Sequence, residues 1–218
     1  TEGRSKTDLT DALLLSRYLT HERHSLRPYM PQCPKAQALW GLLKRRAAVV
    51  KARKQLEQSF KSTGLSVRSV YRELDQLLKR IDQRMQGLIE ALGWSGDYQR
   101  CQSIPGIGPL NAMAMVITYH RGNFSGSDAF IAYIGMDIRR KESGTYKGKS
   151  RLSKRGASEI RRLLFCAAKP ARCYKRFADY HQKQLDKGLS KIAANCILGR
   201  KLARIAFALM ERQEVFQR

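Results

Sequence analysis

Acidic side chains are scarce in this sequence: 18 Asp+Glu stand against 42 Lys+Arg, a formal net charge of +24. An excess of that size repels itself and calls for a polyanionic partner, most simply DNA or RNA. On charge alone an anionic membrane surface is the rival. Long apolar runs are also missing, and with no stretch of about 18 such residues nothing spans a bilayer, so no membrane partner is expected. The five cysteines (33, 101, 166, 173 and 196) are odd in number, scattered and without a CxxC pair. That pattern excludes a disulfide frame and a cysteine zinc site, and it reads as reduced cytosolic thiols. The four histidines, at 21, 24, 120 and 181, are scattered and lend little support to a protease-like triad. No secretory signal is visible. The sequence opens Thr1-Glu2-Gly3 rather than with methionine, so it is expected to begin inside a larger protein.

What is present is helical periodicity, and the expected fold class is mainly α. Thr7 is a candidate N-cap, with Asp8 and Asp11 in the first turn, where the helix dipole favours acids. Leu9, Ala12, Leu13, Leu15 and Leu19 follow as an apolar face. Asp8 and Asp11 are three apart, so both carboxylates project from one side of the helix. They read either as helix-start acids or as oxygen ligands for Mg²⁺. Residues 28–34 (PYMPQCP) hold three of the six prolines and mark a linker. A helix is expected from Lys35 to about Phe60, with Leu39, Leu42, Leu43, Ala47, Val50 and Leu56 at helical spacing. After a break at 62–66 a second runs from about Val67 to Leu92, with Val70, Leu74, Leu77, Leu78, Ile81, Met85, Leu88 and Ile89 on one stripe. The pair predicts an antiparallel hairpin or coiled coil whose stripe is core or oligomer contact.

Gly93 to Asp97 closes that hairpin. Ile104-Pro105-Gly106-Ile107-Gly108 then reads as a helix-hairpin-helix turn. Gly106 and Gly108 would let its amides face a phosphate at the start of the helix from Pro109. Ser127 and Asp128 can cap a helix over 129–134 that Gly135 stops. Further helices are expected over 160–173, with Pro170 kinking it or starting another, over 174–185 and over 191–210. Ser190 is the N-cap of the last, which is expected to bury Ile192, Ile197, Leu198, Leu202, Ile205 and Leu209. Its Gly199 permits close packing. The expected domains are 1–34, 35–97 and 98–218.

The most cationic stretch runs from 139 to 162. Its candidate nucleic-acid-binding residues are Arg139, Arg140, Lys141, Lys147, Lys149, Arg151, Lys154, Arg155, Arg161 and Arg162, against two acids, Glu142 and Glu159. Ser143, Gly144, Thr145 and Tyr146 interrupt the charge. Such a loop either binds nucleic acid and does no chemistry, or holds a hydroxyl nucleophile against a phosphodiester.

Five motifs in fixed order carry a family resemblance: the IPGIG turn; Phe130 to Met136; Glu142-Ser143-Gly144; Ser153-Lys154-Arg155-Gly156; and Ile160-Arg161-Arg162-Leu163-Leu164. This order resembles the C-terminal transposase domain of the DEDD/serine insertion-sequence recombinases, family one-ten, which includes the pilin-gene invertases. Lys6 to Ala12 is similar to the last acidic motif of that family's RNase H-like (RuvC-like) domain, so the resemblance spans nearly the whole chain. It implies Ser143 as the nucleophile, Asp8 and Asp11 as Mg²⁺ ligands, and strand exchange through a covalent phosphoserine. It also implies DNA and a structured, bridge-type RNA as partners, a homo-oligomer (dimer or tetramer) with sites assembled between subunits, and a bacterial cytoplasmic, nucleoid-associated setting. The family's metal site takes a further Asp and Glu from strands upstream, which this sequence does not contain. The chain as given is therefore expected to bind without cutting. The alternatives are a non-catalytic DNA- or RNA-binding module and a metal-dependent nuclease using Asp8 and Asp11 without the serine.

The charge generates a first prediction. Affinity for a labelled duplex and for a structured RNA should fall roughly a thousandfold or more between about 50 and 200 mM salt if six or more phosphates are neutralised. A flat response in a salt titration would overturn the electrostatic account. Replacing Lys149, Arg151, Lys154 and Arg155 should weaken binding to all sequences about equally, since phosphate contacts carry no sequence code.

Overall fold

The computed structural model describes residues 7–26, 31–139, 142–143, 146–147 and 151–217. It forms two compact units, 1–32 and 33–218. Among the described residues it is mainly α, with four two-residue strands. No helix among them is long and apolar enough to cross a membrane.

The first unit is α1 (Asp8–Glu22), and its start is the expected one. The Thr7 side chain accepts from the Thr10 amide, and the Thr10 hydroxyl reaches back to the Thr7 amide (3.3 and 3.1 Å), a reciprocal cap that satisfies two orphan donors. No residue of α1 is buried, so its leucine face is open within this unit. The proline segment that follows lies partly outside the described residues.

The second unit begins with the hairpin α2 (Pro34–Ser59) and α3 (Arg68–Ala91). Two arginine forks clamp it. Arg46 reaches both oxygens of Asp82 at 2.5 and 3.0 Å, and Arg53 those of Asp75 at 2.9 and 3.4 Å. The apolar stripe is buried only near the root, at Leu39, Leu43, Ile81, Met85, Leu88 and Ile89. Farther out, Val70 and Leu77 are exposed.

Three helices follow, of which α5 (Pro109–Tyr119) is the centre of the core. Ala112 through Thr118 are buried without interruption, as suits a helix that is apolar on every side. Thr118 is the polar member of that run, and its hydroxyl donates to the Ala114 carbonyl at 2.6 Å. The root of the hairpin rests on α5, where Arg121 stacks its guanidinium over Trp40 at 4.5 Å. A short helix, α4 (Ser95–Gln102), precedes α5, where sequence reading placed only the closing turn. The helix after α5, α6 (Ser127–Tyr133), starts from Gly126. Ser127 and Asp128 are held instead by Arg204 at 3.0 and 2.5 Å.

The remaining helices are α7 (Ser158–Ala171), α8 (Lys175–Asp186) and α9 (Lys191–Arg212). Pro170 is accommodated in the last turn of α7 and ends it rather than kinking it midway. Ser190 caps α9 as expected, accepting from the Ala193 amide at 3.2 Å. α9 packs against α7 across Gly199, where a Cβ would sit 3.0 Å from the Leu164 carbonyl oxygen. One expected core residue of α9 is corrected: Ile192 is 69% exposed, because the first turn projects beyond the helices it packs on. Ile197 and Ile205 are half-buried.

Between α6 and α7 the basic stretch contains paired strands. β1 (Ile138–Arg139) pairs antiparallel with β4 (Arg151–Leu152), and β2 (Glu142–Ser143) with β3 (Tyr146–Lys147). The register is nested, so the chain goes out and returns as an arm. Its root is a backbone-to-backbone contact. A Cβ on Gly156 would fall on the Tyr133 carbonyl oxygen and 2.5 Å from the Ile134 carbonyl carbon.

That contact predicts an asymmetry between glycines. Gly156→Ala must move backbone, an overpacking of roughly 1–3 kcal/mol. For a chain of this size it should lower the melting temperature by about 2–4 °C per kcal/mol. Gly108→Ala, with φ at −83° and nothing within 4 Å of the added Cβ, should melt close to the parent. Equal melting curves for the two variants in scanning fluorimetry would overturn the account.

Candidate nucleic-acid interface

The arm is built from its root upward. Gly135 ends α6 at φ +70°, the left-handed region that glycine enters without strain, and Met136 behind it is buried. The chain then leaves the core: Asp137 is half-buried, and Ile138 and Arg139 are exposed. On the return, the Ser153 amide donates to the Asp137 carbonyl at 2.9 Å and the Lys154 amide to Gly135 at 3.1 Å. The Ser153 hydroxyl also donates to the Asp137 carboxylate. Arg161, from the first turn of α7, closes the root. Its guanidinium donates to the carbonyls of Gly156 at 2.6 Å and Ile134 at 3.2 Å.

These contacts sort the candidate residues. Ser143 is in β2, opposite Tyr146, and the sequence between them is Gly144-Thr145. It therefore occupies the last described pairing on the outgoing strand, and Lys147 lies in β3 opposite Glu142. Arg140, Lys141 and Lys149 lie outside the described residues. Arg139 and Arg151 face each other across β1 and β4, and Arg139, Arg151, Lys154 and Arg155 are exposed. Like charges opposite one another destabilise a bare ribbon, so this pairing favours a bound anion. Arg162 is held by Glu159 through two bonds, at 2.7 and 2.6 Å. That pairing raises its pKa, chiefly through the hydrogen bond to Glu159.

Gly106 and Gly108 occupy the α4–α5 turn and face different surroundings. Gly106, at φ +88°, is packed against α7, where a Cβ would lie 2.6 Å from that of Ala171. Gly108 is the N-cap of α5 and its α-carbon faces open space. The expected phosphate-facing amides of this turn thus have an open side at Gly108 only.

Asp8 and Asp11 are exposed on the first turn of α1. Two carboxylates on one helix face offer the hard oxygen donors Mg²⁺ takes, which fits part of an octahedral shell. No group of three or more His, Cys, Asp or Glu gathers to hold a metal among the described residues.

Sequence reading missed two features. Asp137 orients Ser153, and its only signal is an acid placed just before a run of bases. His120 donates through Nε2 to the Asp97 carboxylate at 2.8 Å, which also accepts from Arg100 at 3.0 Å, and its ring stacks on Trp94 at 4.1 Å. The nearby Cys101 is fully buried. Burial first, then the Asp97 charge, pushes its thiol up to about 12, so it is no nucleophile.

Comparison with known proteins agrees with this layout. Residues 98–182 match the family described as Transposase IS116/IS110/IS902 family. A Pseudomonas aeruginosa protein named "Probable family 20 transposase" is 29% identical, the match covering 66% of this chain and 43% of that protein. The transposase of insertion sequence element IS1328 from Yersinia enterocolitica is 31% identical over 65% of this chain and 44% of its own length. That of element IS1111A from Coxiella burnetii is 32% identical over 68% and 42%. The chain thus spans less than half the length of these relatives. Residues 98–182, from within α4 to most of α8, carry the arm and its root, and it is this segment that belongs to the IS116/IS110/IS902 transposase family.

Proposed function

We propose that this chain is part of a transposase that cuts and rejoins DNA through a covalent phosphoserine at Ser143. The observation that carries the reading is the arm. It places Ser143 at the last described pairing of a cationic ribbon, while Ser153, the competing hydroxyl, is held by Asp137. The Ser143 oxygen bonds the scissile phosphorus as one bridging sugar oxygen leaves with a proton. A second sugar hydroxyl later attacks the same phosphorus, and the serine regains its proton. The phosphodiester energy is kept, so resealing needs no nucleotide cofactor. Cations along the arm, Arg139 and Arg151 among them, stabilise the negative charge that builds on the phosphoryl oxygens.

Asp8 and Asp11 would hold Mg²⁺, which when bound supplies Lewis-acid polarisation of a phosphoryl oxygen. The chain's own contribution there is two exposed carboxylates in the first turn of a capped helix. The partners in this reading are DNA and a structured, bridge-type RNA. The exposed outer stripe of the α2–α3 hairpin, Val70 and Leu77, supports self-association. Light scattering should then show a dimer or larger, and a strict monomer with and without nucleic acid would count against sites shared between subunits.

The chemical test uses a longer protein that includes the upstream acidic strands. With Mg²⁺ it should leave protein covalently attached to a nicked DNA substrate, and Ser143→Ala should abolish the adduct while DNA affinity stays nearly intact. Asp8→Ala or Asp11→Ala should also stop cleavage. An adduct that survives Ser143→Ala but not Ser153→Ala would reassign the nucleophile. Cleavage that persists with no adduct in either variant would favour a metal-dependent nuclease.

A further inference from the structure

A cavity of about 450 Å³ lies at the other end of α7 from the arm, and nothing in the strand-exchange reading uses it. Three distant segments build it: Pro105 from the α4–α5 turn, the start of α8, and Phe216 from the tail after α9. The tail is fixed there by its Phe216 amide, which donates to the Ser103 hydroxyl at 2.8 Å. The rings of Phe177 and Phe216 lie 5.9 Å apart and tilted by 34°, with Phe177 fully buried. Tyr174, also lining the cavity, is 44% exposed. α7 has 14 residues, so about 20 Å separates this aromatic cavity from the arm's root.

The rim is cationic and continues beyond the cavity. Lys175 and Arg176 line it and are exposed. Lys201 sits 3.7 Å over the Tyr180 ring on the adjoining face of α8 and α9. Its pKa is lowered by burial first and then by the charges of Arg176 and Lys183. Arg176 thus belongs to both the cavity and a crowd of like charges. None of Lys175, Arg176, Lys183 and Lys201 forms an ion pair with an acid among the described residues. Cations held this close favour a bound anion. The acid in the lining is Asp179, a hydrogen-bond acceptor that turns a phosphate away from its own side.

We infer that this cavity is a subsite for an unpaired nucleotide, its base against Tyr174 and Phe216 and its phosphates on the Lys175, Arg176 and Lys201 face. The inference rests on the nucleic-acid reading above and adds a second site to it. An aromatic floor beside a cationic track is the chemistry that holds single strands without a sequence code. A base inside a duplex stack cannot enter such a cavity, so the ligand is single-stranded or flipped out. An acidic peptide would satisfy the rim and leave the aromatic floor empty.

The experiment compares variants of the full chain at fixed salt, with three probes: a short single-stranded oligonucleotide, the same strand with abasic sugars, and a blunt duplex. Tyr174→Ala should weaken binding of the normal single strand about tenfold, with the abasic strand and the duplex changed by less than about twofold. Tyr174→Phe should restore it. Arg176→Ala should weaken normal and abasic strands alike. Tyr174 is 44% exposed, and melting curves of the Tyr174→Phe and Arg176→Ala variants should match the parent, which keeps the comparison informative. Equal loss for duplex and single strand, or no difference between normal and abasic strands, would overturn the subsite. So would displacement of the strand by polyglutamate at equal charge concentration. The serine-adduct assay does not read this cavity, so either proposal can fail without the other.

Discussion

The backbone contact between the end of α6 and the start of α7 governs where everything else in this part of the chain can go. It is two-sided. A Cβ on Gly135 would lie 2.6 Å from the Gly156 nitrogen, and one on Gly156 would collide with the Tyr133 carbonyl. Only two residues without side chains permit so close an approach, and Arg161 ties the resulting step through two carbonyls. The two ends of the arm are thereby fixed together at its base. The arm does not need a core of its own, because its geometry is set by the helices it leaves. Arg161, which composition groups with the phosphate-binding cations, is in this structure an architectural group.

The surplus of positive charge follows a consistent rule in the second unit. Several paired acids link elements: Asp82 and Asp75 across the hairpin, Asp97 of α4 to His120 at the end of α5, and Asp128 of α6 to Arg204 of α9, while Glu159 pairs within α7. Pairs at the surface contribute little stability each, on the order of 0–1 kcal/mol. Their larger effect is on distribution. Acids spent inside the architecture leave the remaining cations unneutralised at the arm's root and along α8 and α9. These faces are where a polyanion gains most from binding.

Most helices were legible in the sequence because local chemistry marks their ends. Thr7, Pro34, Pro109, Gly135 and Ser190 each act at or within a residue or two of an observed boundary. α4 was not legible. Its eight residues, SGDYQRCQ, bury only Cys101 and so carry no apolar period. The strands of the arm were missed for a different reason. Their pairing is non-local, and exposed charged residues show no alternation to reveal it. Ser143 is a candidate through motif order alone, whereas the contacts of Asp137 and Arg161 and the α8 cavity needed segments far apart in sequence to come together. The cavity is the extreme case, since Pro105, Tyr174 and Phe216 converge only once α7, α8 and the tail are in place.

The separation between core and chemistry has a physical consequence. Among the described residues, apolar burial ends at Met136 on the way into the arm and resumes at Ile160. Between them, the described strands offer two short pairings. A two-stranded ribbon of this kind is marginal in water. Here it also bears Arg139 opposite Arg151, which repel. A nucleic-acid backbone supplies what the ribbon lacks, counter-charge along both strands, so ordering of the arm and capture of its partner are thermodynamically linked. In the strand-exchange reading proposed above, Ser143 would meet its phosphodiester on the same polyanion that neutralises its scaffold. The helical core behind it, centred on the buried α5, carries the stability and tolerates changes in the arm's chemistry.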